Sequence, residues 1–275
     1  MNTLASRIRA CGRTVAAATV CLAMTIGLAA CSSSAQTKDE GPDYADDEAM
    51  SIIAEGFQKR SDVIEQYEQK NEDDSSEYVK AAVQAEIDTD KGLKSRQFKD
   101  SKLQENVIVY LNLLDDSMDV VKNNSYMSAD YTEQWTKVYD KRSALLKTFV
   151  DDYGLKVDEK YQESLNDIVA NGSSVQKKTE TEDALNNLIS STTFEKTDDG
   201  YGMYNYSAVI ENTTGIDFGS VTLLVALYGA DGVKVEETYA STSSWPKGEK
   251  VKFEAMSTND AAQVKVSVSD YEVED

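Results

Sequence analysis

Carboxylates dominate the groups that could do chemistry in this chain. Its 275 residues include 49 Asp and Glu against 28 Lys and Arg, three Cys and no His. Without His, neither a Ser-His-Asp nor a Cys-His relay can be assembled, and the commonest metal ligand is missing. Glycoside hydrolysis needs only a pair of carboxyl groups, so composition leaves that reaction open. Two acidic segments could hold a cation. Asp88-Thr-Asp90-Lys-Gly92 begins like a calcium loop, but Gly92 arrives too early and the twelfth position is Lys99 rather than Glu. Asn71 to Glu77 reads better as a connection between helices, with Ser75 or Ser76 as the cap. Tyr126, Tyr131 and Tyr139 gather with Trp135 around one expected helix start. Exposed, they would suit a glycan or protein partner; at helical spacing they read as core. No phosphate loop, dinucleotide fingerprint or strand-elbow serine is present. No catalytic, cofactor-binding or metal-binding residue is therefore assigned.

The N-terminus carries a different chemistry. Arg7, Arg9 and Arg13 precede an apolar run from Thr14 to Ala30, the layout of a secretory signal. The run ends in Leu28-Ala29-Ala30-Cys31, which resembles the bacterial lipobox. The resemblance implies a diacylglyceryl group on Cys31 Sγ and cleavage after Ala30, so that residues 1–30 are a lipoprotein signal peptide. Two acyl chains suffice for stable anchoring, at about 0.8 kcal/mol per buried methylene. Cys11 and Cys21 would leave with the signal, so the mature chain could form no internal disulfide. The expected location is extracytoplasmic, with membrane lipid as the first partner.

The formal charge is −21, and loss of the three signal arginines would make it more negative. That opposes nucleic-acid binding, which needs a basic footprint. A large like charge also keeps a tethered protein soluble.

Downstream, residues 31–47 read as a lipidated N-terminus and disordered tether, rich in Ser and acid. Stretched, it reaches roughly 50 Å; as a coil it averages about 20 Å. Residues 48–190 show helical spacing. Six stripes are expected, through Met50–Tyr67, Tyr78–Ile87, Leu103–Val121, Tyr131–Phe149, Tyr161–Val169 and Ala184–Ile189. Asn171-Gly172 stops the fifth. Without an interrupting Pro, such helices should form an antiparallel bundle. After Ser190 the period changes to two. Strands are expected through Tyr204–Ile210, Val221–Leu227, Val233–Tyr239, Val251–Ala255 and Val264–Val268, separated by glycine turns. The fold class expected is α+β: a helical bundle followed by a small antiparallel β-sandwich over residues 201–275.

That last segment resembles the FxLYD family, an immunoglobulin-like sandwich. The likeness rests on Val209-Ile-Glu-Asn212, on Val225-Ala-Leu-Tyr-Gly229 before Asp231-Gly232, and on Lys247-Gly-Glu-Lys-Val-Lys-Phe253. Leu227 and Tyr228 match the name motif; Val225 stands for its Phe and Gly229 for its Asp. The resemblance implies a binding or spacer module without catalytic residues. The function expected of the whole chain is non-enzymatic contact with an envelope or host protein or with wall polymer. The alternative is a carboxylate-dependent envelope hydrolase acting on glycan.

Overall fold

The computed structural model describes residues 43–274. Cys31, the signal segment and most of the expected tether lie outside the described residues. The chain is a mixed helix-and-sheet protein, with five α-helices followed by two three-stranded antiparallel sheets among the described residues.

The helices are α1 (Ala49–Lys70), α2 (Ser76–Asp90), α3 (Ser101–Asn123), α4 (Ala129–Tyr153) and α5 (Gln162–Ser190). Local chemistry sets their ends. Ser75 accepts the Tyr78 N–H at 3.2 Å and caps α2, as its sequence suggested. Asp100 and Ser128 cap α3 and α4 in the same way. Gly154 ends α4 with a positive φ of 70°, a conformation that costs glycine little. Ile53, Phe57, Leu103, Val107, Tyr110, Leu114, Leu146 and Phe149 share one core.

Two expectations about this half need correction. The fifth and sixth helical segments are one helix of 29 residues. Asn171-Gly172 looked like a C-cap, but Gly172 is where α5 crosses the backbone of Ser143 on α4. A Cβ there would strike the Ser143 carbonyl, and the Asn171 side chain donates to Asp140 at 3.1 Å. The end of the expected tether is also docked. Ala45 is fully buried, its N–H donates to the Gln97 carbonyl, and the Asp46 carboxylate accepts N–H groups from Lys99 and Asp100.

The strands are β1 (Glu195–Asp198), β2 (Tyr204–Glu211), β3 (Phe218–Tyr228), β4 (Lys234–Thr242), β5 (Lys250–Ser257) and β6 (Gln263–Val273). They pair in the orders β1-β2-β5 and β4-β3-β6. β1 was not expected, because Glu195-Lys196-Thr197-Asp198 is exposed throughout and carries no apolar alternation. Tyr206, Ile210 and Phe253 of the first sheet share a core with Val221, Leu223, Val225 and Leu227 of the second. Leu185 and Ile189 of α5 enter the same core, 0% and 1% exposed. Each such side chain contributes roughly 1.5–3 kcal/mol when buried, so α5 belongs energetically to both halves.

Candidate functional site

Helix α2 buries a stripe at Val79, Val83, Glu86 and Asp90. The spacing is that of a core face, but its last two places are carboxyl groups. The facing helices supply polar partners at the same level. Arg60 follows Phe57 on α1, Tyr110 lies in the α3 stripe, and Arg142 precedes Leu146 and Phe149 on α4.

Glu86 is fully buried and engaged by three groups. Arg60 Nη1 donates to Oε2 at 2.8 Å, Arg142 Nη2 donates to Oε1, and the Tyr110 hydroxyl donates to Oε1 as well. Burial pushes the Glu86 carboxyl up, but Arg142 and then Arg60 outweigh it and hold it down at about 2. The Arg142 guanidinium is fixed between two rings, with Cζ 5.8 Å from the centres of both Phe57 and Tyr110. Burial alone would ease its proton off; the Glu86 carboxylate reverses that and tightens it. Its Nε has no hydrogen-bond partner among the described residues.

Asp90, one turn along, is treated differently. It is 0% exposed and neither oxygen has a hydrogen-bond partner among the described residues. Its carboxyl lies against Gly56 of α1, where any side chain would collide with it. Burial, reinforced by the Glu86 charge, pushes Asp90 up to about 9. It is therefore neutral at pH 7, and the buried cluster holds two guanidiniums against one carboxylate.

Both arginines line a cavity of about 430 Å³ formed by α1, α4 and the start of α5. Phe57, Ile64, Tyr139 and Ile168 supply its apolar and aromatic wall. Lys160 on this wall is already held by Asp62 at 2.7 Å and Glu65 at 2.8 Å. Glu68 and Asp167 also line the cavity; both are exposed and neither has an ion-pair partner among the described residues. A larger open hollow of about 600 Å³ lies between α5 and β6, with Lys177, Glu182, Asp270 and Tyr271 on its walls.

These placements answer the sequence expectations one by one. Asp88 pairs with Lys91 at 2.8 Å on the surface and Asp90 is sealed inside, so the two do not converge. Tyr131 stacks on Trp135 at 5.9 Å and meets Tyr126 edge-on, all packed against the α2–α3 apolar cluster. Tyr139 leaves that group and lines the cavity. Glu86, Arg60 and Arg142 were missed, and Asp90 was weighed only as part of a calcium-like loop. Their one signal was register: each falls on or beside the apolar stripe of its helix.

A general acid for glycoside cleavage needs a carboxyl raised toward neutrality. Among the described residues the carboxyl so raised is Asp90, and it faces Gly56 rather than an open cleft. No helix among the described residues is long and apolar enough to cross a membrane. Searches of family models, curated proteins and solved structures return no match to this chain.

Proposed function

We propose that this chain is an extracytoplasmic lipoprotein, held at the membrane by diacylglyceryl on Cys31, that binds or spaces components of the cell envelope without catalysing a reaction. Its helices form an antiparallel bundle around the Ile53–Phe149 core. Its two sheets form an immunoglobulin-like sandwich of the FxLYD kind. The pairing of Leu223 with Ala240 and Val268 on one sheet, and of Ala208 with Phe253 on the other, supports that reading. So does the single core that both sheets line.

One observation carries the non-catalytic half of the proposal. The carboxyl groups furthest from their ordinary acidity, Glu86 and Asp90, are sealed in the helical core. Catalytic carboxyls must reach substrate, directly or through water. The partner is an envelope or host protein or wall polymer. Nucleic acid does not fit a chain of net charge −21.

Two experiments test this reading. Labelled fatty acid enters the wild-type protein and not Cys31→Ser; equal labelling of both defeats the anchor. The soluble chain from Pro42 onward, incubated with wall extracts and envelope proteins, retains a partner and cleaves nothing. Reproducible glycan turnover abolished by changing one or two carboxylates would establish the hydrolase instead.

A further inference from the structure

We infer that the cavity between α1, α4 and the start of α5 binds a small zwitterion, a free amino acid or a whole short peptide. Its carboxylate lies against Arg60 and Arg142 and its ammonium against Glu68 and Asp167. The inference rests on the binding reading above and gives it a ligand class.

Arg60 and Arg142 share Glu86, and neither pairs with a second carboxylate among the described residues. Asp90 is near in sequence but makes no hydrogen bond to either arginine. An excess positive charge at this depth is costly unless an anion meets it. Arg142 is 3% exposed and keeps an unmet Nε donor, while Arg60, also on the cavity wall, is part-exposed. Carboxylate and phosphate both match guanidinium donors in geometry, and the singly charged carboxylate is repelled less by the acidic side chains on the same wall.

The rest of the wall decides what else the ligand carries. Lys160 is saturated by Asp62 and Glu65 and offers an anion little. Glu68 and Asp167 are exposed, acidic and unpaired among the described residues. A ligand that is only an anion would be repelled by them, and one that is only a cation by the arginines. A molecule with both charges satisfies both ends. Phe57, Ile64, Tyr139 and Ile168 supply an apolar wall that a ligand's side chain can cover. The volume, about 430 Å³, falls among small-molecule sites, which span roughly 300–1,000 Å³.

Trp135 makes the test direct, because the Arg60 guanidinium lies 6.0 Å from its ring. The soluble chain is titrated with leucine and alanyl-alanine, followed by tryptophan fluorescence and calorimetry. The controls are N-acetylleucine, which lacks the ammonium, and leucinamide, which lacks the carboxylate. At least one zwitterion should saturate, with both capped leucines at least about 10-fold weaker. Ser164→Trp fills the cavity from an exposed position and should abolish binding with the fold intact. Glu68→Gln with Asp167→Asn should weaken the zwitterions and leave N-acetylleucine unchanged or tighter. The inference is overturned by the absence of saturation for both zwitterions up to about 10 mM, a range that admits even weak ligands. Equal affinity of the capped leucines, or binding that survives Ser164→Trp, also overturns it. Mass spectrometry of the recovered ligand separates the two readings. Cleaved alanyl-alanine would defeat the non-enzymatic proposal, whereas intact ligand that never binds would defeat this site alone.

Discussion

Asn212 in the sheet half and Asp90 in the helical half are both buried polar side chains, 1% and 0% exposed. Asn212 is completely answered. Its Nδ2 donates to the carbonyls of Ile216 and Trp245, both at 2.8 Å, and its Oδ1 accepts from the N–H and hydroxyl of Thr214. Trp245 Nε1 and the Tyr206 hydroxyl are answered as fully, by Glu249 and by Asn259 and Ala261. Among the described residues Asp90 has no hydrogen-bond partner, and Arg142 beside it keeps an empty donor. Native interiors leave few buried polar groups unpaired, and those that remain call for an explanation. The sheet half uses Asn212, Trp245 and Tyr206 to fix its turns and leaves one buried oxygen, Asn205 Oδ1, without a partner among the described residues. The helical half holds polarity that its own fold does not use, beside a cavity, which is why the ligand is sought there.

Substitutions can break this contrast, and the largest effect belongs to Arg142. Arg142→Met should lower stability by about 3–5 kcal/mol, since it strips a fully buried carboxylate of its closest cation. Denaturant unfolding of full-length variants measures this. Glu86→Met with Arg142→Met should cost clearly less than Arg142→Met alone, because no uncompensated charge is left. A double variant as unstable as the single one would mean that Arg142 acts through packing between Phe57 and Tyr110.

Asp90 should reveal itself through pH. Its folded pKa, about 9, lies above an unfolded value near 3.8. The folded state therefore holds a proton that the unfolded chain gives up. Asp90's contribution is fully present below about pH 4 and is lost progressively as pH rises toward 9, by up to about 1.4 kcal/mol per pH unit. Asp90→Asn should flatten that decline and gain on wild type by about 2 kcal/mol or more between pH 5 and pH 8. Glu86 works the other way. Its folded pKa is about 2 against 4.5, so its contribution is present above about pH 4.5 and disappears toward pH 2. A wild-type stability curve with the same slope as Asp90→Asn from pH 5 to 8 would remove Asp90 from the account.

In the sheet half, Asn212→Ala should cost about 1–3 kcal/mol by orphaning buried carbonyls at Ile216 and Trp245. No pH dependence should accompany it, because none of the groups involved titrates. A loss comparable to that of Arg142→Met would erase the difference in scale between the two cores.

What the sequence could reveal followed the same division. Helix stripes and strand alternation were readable because each is a period of apolar residues, and Met50–Tyr67 or Val221–Leu227 advertise theirs. β1 was hidden because an exposed edge strand is held by backbone bonds to β2, and Glu195-Lys196-Thr197-Asp198 has no buried side to pattern. Asn171-Gly172 misled because a glycine needed for close helix crossing has the same spelling as one needed for a cap. The docking of Tyr44, Ala45 and Asp46 against residues 96–100 depends on partners some fifty residues away, as in the Asp46 bond to Lys99. The buried charges were least legible, since only its register on the α2 stripe sets Glu86 apart from a solvated acid until the facing helices bring Arg60 and Arg142 to it.

The smallest expected effect belongs to the feature that was easiest to read. Ser75 and Ser76 were the two helix caps offered by the Asn71–Glu77 segment, and it is the Ser75 Oγ that accepts the Tyr78 N–H at 3.2 Å. The residue sits at the exposed edge of the helical half, in a β conformation before a helix whose first turn carries Glu77. Ser75→Ala removes one acceptor from a terminus that water can reach, so the cost should be about 0.5–1 kcal/mol. Ser75→Asp should be neutral or slightly stabilising, since its carboxylate also meets the positive end of the helix dipole. Both changes should leave the Trp135 signal and zwitterion binding unaltered, because Ser75 is outside the cavity wall. A Ser75→Ala loss above about 2 kcal/mol would exceed what a solvated cap supplies. It would show that the α1–α2 connection bears on the buried cluster, and that the helical half is more tightly coupled than its contacts suggest.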